Sequence, residues 1–179
     1  MTPHLPAELR EALAPLLRLV ATLTHEIRGL EHQLESVAAT RYPETRQLRQ
    51  VGGVGLLTAL CYVLTLEDPH RFERSRSVGA YLGLVPARDQ SGDRDPQKRI
   101  SKEGDEMMRK LLVGSAHYIL GPFGQDSDLR NFGLNLARRG GKNGKKRAVV
   151  AVARKLAVVL HRLWVGNADY EPHRQPATA

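Results

Sequence analysis

Apolar residues near the start of the chain recur at alternating steps of four and three: Leu9, Leu13, Leu16, Val20, Leu23, Ile27, Leu30, Leu34 and Val37. That is a heptad seam, with Leu13, Val20, Ile27 and Leu34 at a and Leu16, Leu23, Leu30 and Val37 at d. So narrow a stripe wants another helix. β-Branched Val20 and Ile27 at a, with leucine at most d positions, predict a parallel two-stranded coiled coil between copies of the chain. Pro15 falls inside the pattern, so the helix is expected to start or bend there. The competing expectation is a long helix packed on its own domain.

Tyr42-Pro43 breaks this helix, and Pro43 can open the next one, PETRQLRQ. The glycine-rich run Val51 to Gly55 follows, then the apolar stretch LLTALCYVLTL, which ends before Asp68-Pro69. Helix, VGGVG turn, helix is the layout of a helix-hairpin-helix. In such a hairpin the glycines allow close backbone approach, and the open N–H groups of the second helix can take a phosphate. Gly52, Gly53 and Gly55 are the candidate contacts, although Gly52 stands where many hairpins have proline. A tight turn between packed helices is the alternative. Phe72 is expected to fill the next corner, and Ser75 or Ser77 to cap a short helix through Tyr81.

GAYLGLVP, from Gly79, reads as a helix end packed into a core and stopped by Pro86. Ser101 is the expected N-cap of SKEGDEMMRKLLVGSAHYILG, with acids first and Arg109 and Lys110 later, as the helix dipole favours. Met108, Leu111, Leu112, Ser115 and Ile119 should face inward, and Gly121-Pro122 should end the helix. Ser127 is the expected cap of DLRNFGLNLARR, with Gly140-Gly141 as its stop. The last helix, AVVAVARKLAVVLHRLWVG, is nearly apolar all round and is expected to be buried. The tail from Asn167 is polar and is expected to fray. The expected organisation is all-α: a coiled-coil dimerisation helix over 1–42, a helical domain over 43–166, and a tail over 167–179.

Composition adds a partner. The chain of 179 residues carries a formal charge of +8, and that excess points to a polyanion, most often nucleic acid. From Arg138 to Lys155 lie eight basic residues and no acid: Arg138, Arg139, Lys142, Lys145, Lys146, Arg147, Arg154 and Lys155. Cations at the start of a helix oppose its dipole, so an outside anion is the natural complement. Lone Cys61 excludes an internal disulfide and fits a reducing, cytoplasmic setting. No stretch has the apolar length of a membrane span, and the N-terminus lacks the order of a signal peptide. Histidines lack ligand spacing, and Asp89, Asp93 and Asp95 form no recognised metal pattern.

Between Pro86 and Ser101 the chain is polar and charged. Ser91 precedes a glycine and lies between Arg88 and Arg94. A hydroxyl flanked by guanidiniums can attack or hold a phosphate. Ser-Gly-Asp is equally ordinary turn chemistry.

The order of motifs is more specific than any one of them. VGGVGLLTALCYVL, DPHRF, GAYLGLVP, SG, RISKEGDEMMRKLLVGSAH and KKRAVVAVARKLAVVLHRLW together resemble the C-terminal domain of the insertion sequence 110/116/902 transposases, the DEDD-type enzymes described as RNA-guided recombinases. The resemblance runs from about Pro43 to about Val165 and implies a role in DNA transposition. It also implies that Ser91 is the nucleophile for DNA strand cleavage and rejoining, with Arg88, Arg94, Lys98, Arg99 and Lys102 as candidate charge stabilisers. That family has an N-terminal ribonuclease-H-like half with four acidic metal ligands, which the present sequence does not match. The chain is therefore expected to bind DNA, to need Mg2+ only through a separate metal-binding half, and to work with a structured guide RNA if the family habit holds. A non-catalytic nucleic-acid-binding remnant or transposition regulator is the alternative, so enzymatic activity of the chain alone is left open.

Overall fold

The first helix, α1 (Ala7–Arg41), is continuous and passes through Pro15, so it begins upstream of the proline rather than at it. It ends where Pro43 forbids continuation, and the Tyr42 amide closes it onto the Ala38 carbonyl at 3.0 Å. In the computed structural model, which describes residues 6–87 and 99–173, α1 packs against α2 and α3 and is most deeply covered in its C-terminal turns. Ala38 is buried, Leu34 is half-buried, and Glu35 pairs with Arg49 at 2.6 Å. Leu16, Val20, Leu23, Ile27 and Leu30 are each more than half exposed. The heptad seam is thus not spent on the chain's own core.

The expected PETRQLRQ helix contracts to one turn, α2 (Thr45–Leu48), with Leu48 fully buried. After the glycine turn comes α3 (Leu56–Leu66), ended by Glu67 at φ 62° and followed by a 3-10 turn over Pro69–Arg71. Then α4 (Arg76–Tyr81) runs into the buried pair Leu82 and Leu84. Ser75 occupies the N-cap position as expected, but its side chain caps nothing. Its Oγ lies 3.0 Å from His161 Nδ1, while His161 Nε2 lies 2.8 Å from the Pro69 carbonyl. A carbonyl can only accept, so Nε2 donates to Pro69, while Nδ1 shares its hydrogen bond with the Ser75 hydroxyl. The buried imidazole, stacked edge-on against Phe72, is therefore a structural clasp.

The α5 helix (Glu106–Leu120) starts five residues after Ser101, and this corrects the expected cap. Asp105 caps it instead, accepting from the Met108 amide. The reason is Gly104, at φ 78°, where a Cβ would run into the Tyr81 carbonyl oxygen. The backbone must turn there before a helix can begin. Met108, Leu112, Ser115 and Ile119 are buried as the periodicity predicts, with Leu111 half-buried. Ser127 caps α6 (Asp128–Arg139) through the Arg130 amide, as expected.

The last helix, α7 (Gly144–Gly166), is the hub against which α2, α4, α5 and α6 pack. Ala148, Val152, Ala153, Leu156, Ala157 and Leu160 are fully buried. The helix is not buried all round, however: Arg147, Arg154, Lys155 and Arg162 are exposed on one side. The segment after Asn167 is also tied down as far as His173. Gln47 reaches the Ala168 carbonyl at 2.6 Å, Gln50 accepts from the Tyr170 amide at 2.7 Å, and the Asp128 amide donates to the Pro172 carbonyl at 2.9 Å. Among the described residues there is no strand, only the antiparallel bridge between Pro86 and Ile100.

Candidate nucleic-acid interface

The three turn glycines do different jobs. Gly53 has φ +89°, and a Cβ there would lie 2.9 Å from the Tyr118 ring and 3.2 Å from the Ser115 carbonyl. Both the dihedral and the space therefore demand glycine, and the demand comes from packing on α5. Gly52 lies against Gln125. Gly55 faces open space and sits at the N-cap of α3, with no side chain capping that helix. Of the three, only Gly55 leaves an open approach to helical N–H groups. The preceding helix is a single turn, shorter than a helix-hairpin-helix motif suggests.

The second feature is a neck. Ala87 donates to the Arg99 carbonyl and Ser101 to the Val85 carbonyl, both at 2.8 Å. Lys102 donates to the Gly83 carbonyl at 3.1 Å. Gly83, at φ +67°, lies so close to Glu103 that a Cβ would overlap its backbone. Arg109 adds a staple: its guanidinium donates to the Glu103 carbonyl at 2.6 Å and the Gly104 carbonyl at 2.9 Å. Ser101 Oγ accepts from the Glu103 amide at 3.4 Å and so belongs to this turn. The neck gathers both ends of the segment 88–98. Ser91, Arg88, Arg94 and Lys98 fall within that segment, outside the described residues, as do Asp89, Asp93 and Asp95. Arg99 and Lys102 flank it and are exposed.

The third feature is the basic turn between α6 and α7. Lys142, Lys145, Lys146 and Arg147 are all exposed. The turn is tight because Gly144 approaches the Ala137 carbonyl where a Cβ could not fit. Among the described residues, no carboxylate lies within 4.0 Å of any of these cations. Ser75 meets His161 and Gly79 meets Arg154, so α4 runs antiparallel to α7. The chain therefore leaves α4 heading toward the basic end of α7, and the neck follows directly.

Other reactive groups are occupied elsewhere. Burial pushes the Tyr62 hydroxyl well above its ordinary pKa, and it donates to the Ala157 carbonyl at 2.6 Å. Burial also raises the Cys61 thiol, which is the opposite of nucleophile activation. Among the described residues no cluster of three His, Cys, Asp or Glu could hold a metal ion, and no helix is long and apolar enough to cross a membrane.

Known proteins carry the same pattern. The family described as Transposase IS116/IS110/IS902 matches residues 45–125, which spans the glycine turn, the neck and α5. The chain belongs to this family. It is 35% identical over 145 residues to the transposase for insertion sequence element IS1111A of Coxiella burnetii, covering 80% of this chain and 39% of that protein. A probable family 20 transposase of Pseudomonas aeruginosa is 30% identical over 169 residues, covering 94% of this chain and 49% of the relative. The transposase for element IS1328 of Yersinia enterocolitica is 34% identical over 114 residues, covering 63% and 34%. The chain thus spans less than half the length of each of these relatives.

Proposed function

We propose that this chain is the DNA-binding C-terminal part of a transposase, with Ser91 as the nucleophile for strand cleavage and rejoining when a metal-binding half is supplied. One observation carries most of this reading: the neck that joins residues 83–87 to 99–102 follows an α4 that heads toward the α6–α7 turn, whose cations have no carboxylate partner among the described residues. A serine hydroxyl with arginines close by in sequence suits attack on a phosphodiester. In that step the Oγ–P bond forms as one P–O bond of the DNA backbone breaks, and the departing sugar oxygen leaves as a hydroxyl. The covalent link keeps the bond energy for rejoining. A serine needs its proton removed and the phosphorane charge balanced. Mg2+ in the partner half would serve the first need. Arg88, Arg94, Lys98, Arg99 and Lys102 are the candidates for the second. Gly55 and the open start of α3 offer an extra phosphate contact, and a structured guide RNA remains a partner to test alongside DNA.

Neutralising Lys145, Lys146 and Arg147 together should weaken DNA binding evenly across sequences. It should also flatten the plot of log affinity against log salt by about 0.9 for each phosphate contact removed. An unchanged slope would take the turn out of the interface.

The exposed seam of α1 belongs to the same reading. Its a/d leucines, valine and isoleucine are more than half exposed over most of their length, and pairing with a second copy would remove them from water. Val20→Asp with Ile27→Asp should yield monomers by light scattering, whereas a surviving dimer would place the contact elsewhere.

A further inference from the structure

We infer that the outward face of α7, well beyond its basic first turn, is a rail for the sugar-phosphate backbone of a nucleic-acid duplex. The inference rests on the nucleic-acid reading above and extends it from Arg147, the last residue of the basic turn, to Arg154, Lys155 and Arg162, which that turn does not include. The helix contains no Asp or Glu from Gly144 to Gly166. Besides Lys145 and Lys146 of the basic turn, its exposed cations fall at Arg147 and Arg154, and at Lys155 and Arg162, each pair separated by one heptad. At 100° per residue these four share one face with half-buried Ala151 and Val158 between them. Fifteen residues of helix rise about 22 Å, well over half of one duplex turn of about 34 Å.

Two of the cations are held in place by the fold. The stem of Arg154 lies across Gly79 of α4, where even a Cβ would sit 2.9 Å from Arg154 Cγ. The missing side chain at Gly79 makes the channel for the arginine. Arg76 lies one turn earlier on the same side of α4 and is exposed. On the opposite flank, Lys155 Nζ stands 4.4 Å above the centre of the Phe132 ring. Among the described residues none of Arg147, Arg154, Lys155 and Arg162 has a carboxylate within 4.0 Å. An ordered row of unneutralised cations calls for an ordered row of anions.

The chemistry selects a duplex. Single-strand binders stack bases on open aromatic faces, but here Phe132, beside the row, is capped by the Lys155 ammonium group. Anionic membranes are held by basic helices that also insert large apolar side chains, and between these cations stand only Ala151 and Val158, both partly covered by the fold.

The test compares three full-length proteins by fluorescence anisotropy on a duplex DNA, the same sequence as duplex RNA, a single strand of equal length, and anionic vesicles. The proteins are the wild type, Arg154→Gln/Lys155→Gln/Arg162→Gln, and Gly79→Leu. The triple variant should lower the salt slope on duplexes by about 2 to 3 and lose at least tenfold in affinity at moderate salt. Gly79→Leu keeps every charge but displaces Arg154. It should lose affinity by a smaller factor, with circular dichroism unchanged. If the triple variant keeps the wild-type slope while neutralising Lys145, Lys146 and Arg147 lowers it, the rail is wrong and the basic-turn reading stands. If the wild type does not bind nucleic acid, both fail. Preference for the single strand or for vesicles would overturn the duplex assignment.

Discussion

Ser91→Ala should abolish the covalent protein–DNA adduct entirely in a capture assay that supplies a nicked DNA, a metal-binding family half in trans and its RNA. Removing a nucleophile leaves only binding and electrostatic contributions, so strand transfer should fall by about 10³-fold or more. DNA affinity should stay close to wild type, because one neutral hydroxyl contributes little beside a row of cations. Ser101→Ala is the informative control. Its hydroxyl accepts from the Glu103 amide inside the neck, so the variant should retain the adduct. An adduct that survives Ser91→Ala, or that maps to the peptide carrying Ser101, would remove Ser91 from the chemistry. No adduct from the wild type, with salt-sensitive DNA binding intact, would favour a binding-only role.

Gly83→Ala should be among the most damaging single-methyl changes in the chain. The site combines φ +67° with a Cβ position that overlaps the Glu103 backbone. Neither can relax without opening the neck that Lys102 and Ser101 close onto Gly83 and Val85. A loss of about 3 kcal/mol is expected from strain and backbone displacement together. Thermal denaturation should show it as a drop of about 6–12 °C for a chain of this size. Gly114→Ala is the contrast. Gly114 lies inside α5 with nothing within 4 Å of the added carbon, so the same methyl should stabilise by about 0.5–1 kcal/mol. If both substitutions proved neutral, the tight approach of Gly83 to Glu103 would not describe the folded protein.

Features set by local chemistry were readable from residues alone. The α1 seam is a periodicity, and the structure keeps it on a continuous helix with Leu16, Val20, Leu23, Ile27 and Leu30 exposed. Ser127 reads as a cap because its hydroxyl oxygen still accepts from the Arg130 amide, three residues on, even with Tyr170 as a second partner. Ser75 and Ser101 have the same capping chemistry, yet neither caps. Ser75 is taken by His161, 86 residues away, and Ser101 is displaced because Gly104 must bend around Tyr81. Those partners come from tertiary packing and leave no mark near the serine. The start of the tail departs from its expected fraying for the same reason: Gln47 and Gln50 hold Ala168 and Tyr170 from the far end of the domain. The cation rail was legible, since seven-residue spacing of Arg147 with Arg154 and of Lys155 with Arg162 needs only a helical wheel. The basic run from Arg138 to Lys155 masks that spacing, because it stops before Arg162. For the candidate nucleophile, the frame around residues 83–87 and 99–104 is on view, while the role of Ser91 itself rests on family likeness.

The first helix sets a phase as well as a distance. Among the described residues it is anchored to the body near its end, by Ala38 and by Glu35 paired with Arg49. Its 35 residues make an arm of about 52 Å, and each residue turns that arm by about 100°. In a paired assembly, the direction in which each body faces is then fixed by how many residues separate the anchor from the seam. Removing one heptad would shorten the arm yet keep both bodies nearly in phase. Removing two residues would swing each body by more than half a turn. Relatives that share this architecture should therefore tolerate length changes in the arm in steps of seven and resist the steps between, whatever residues fill them.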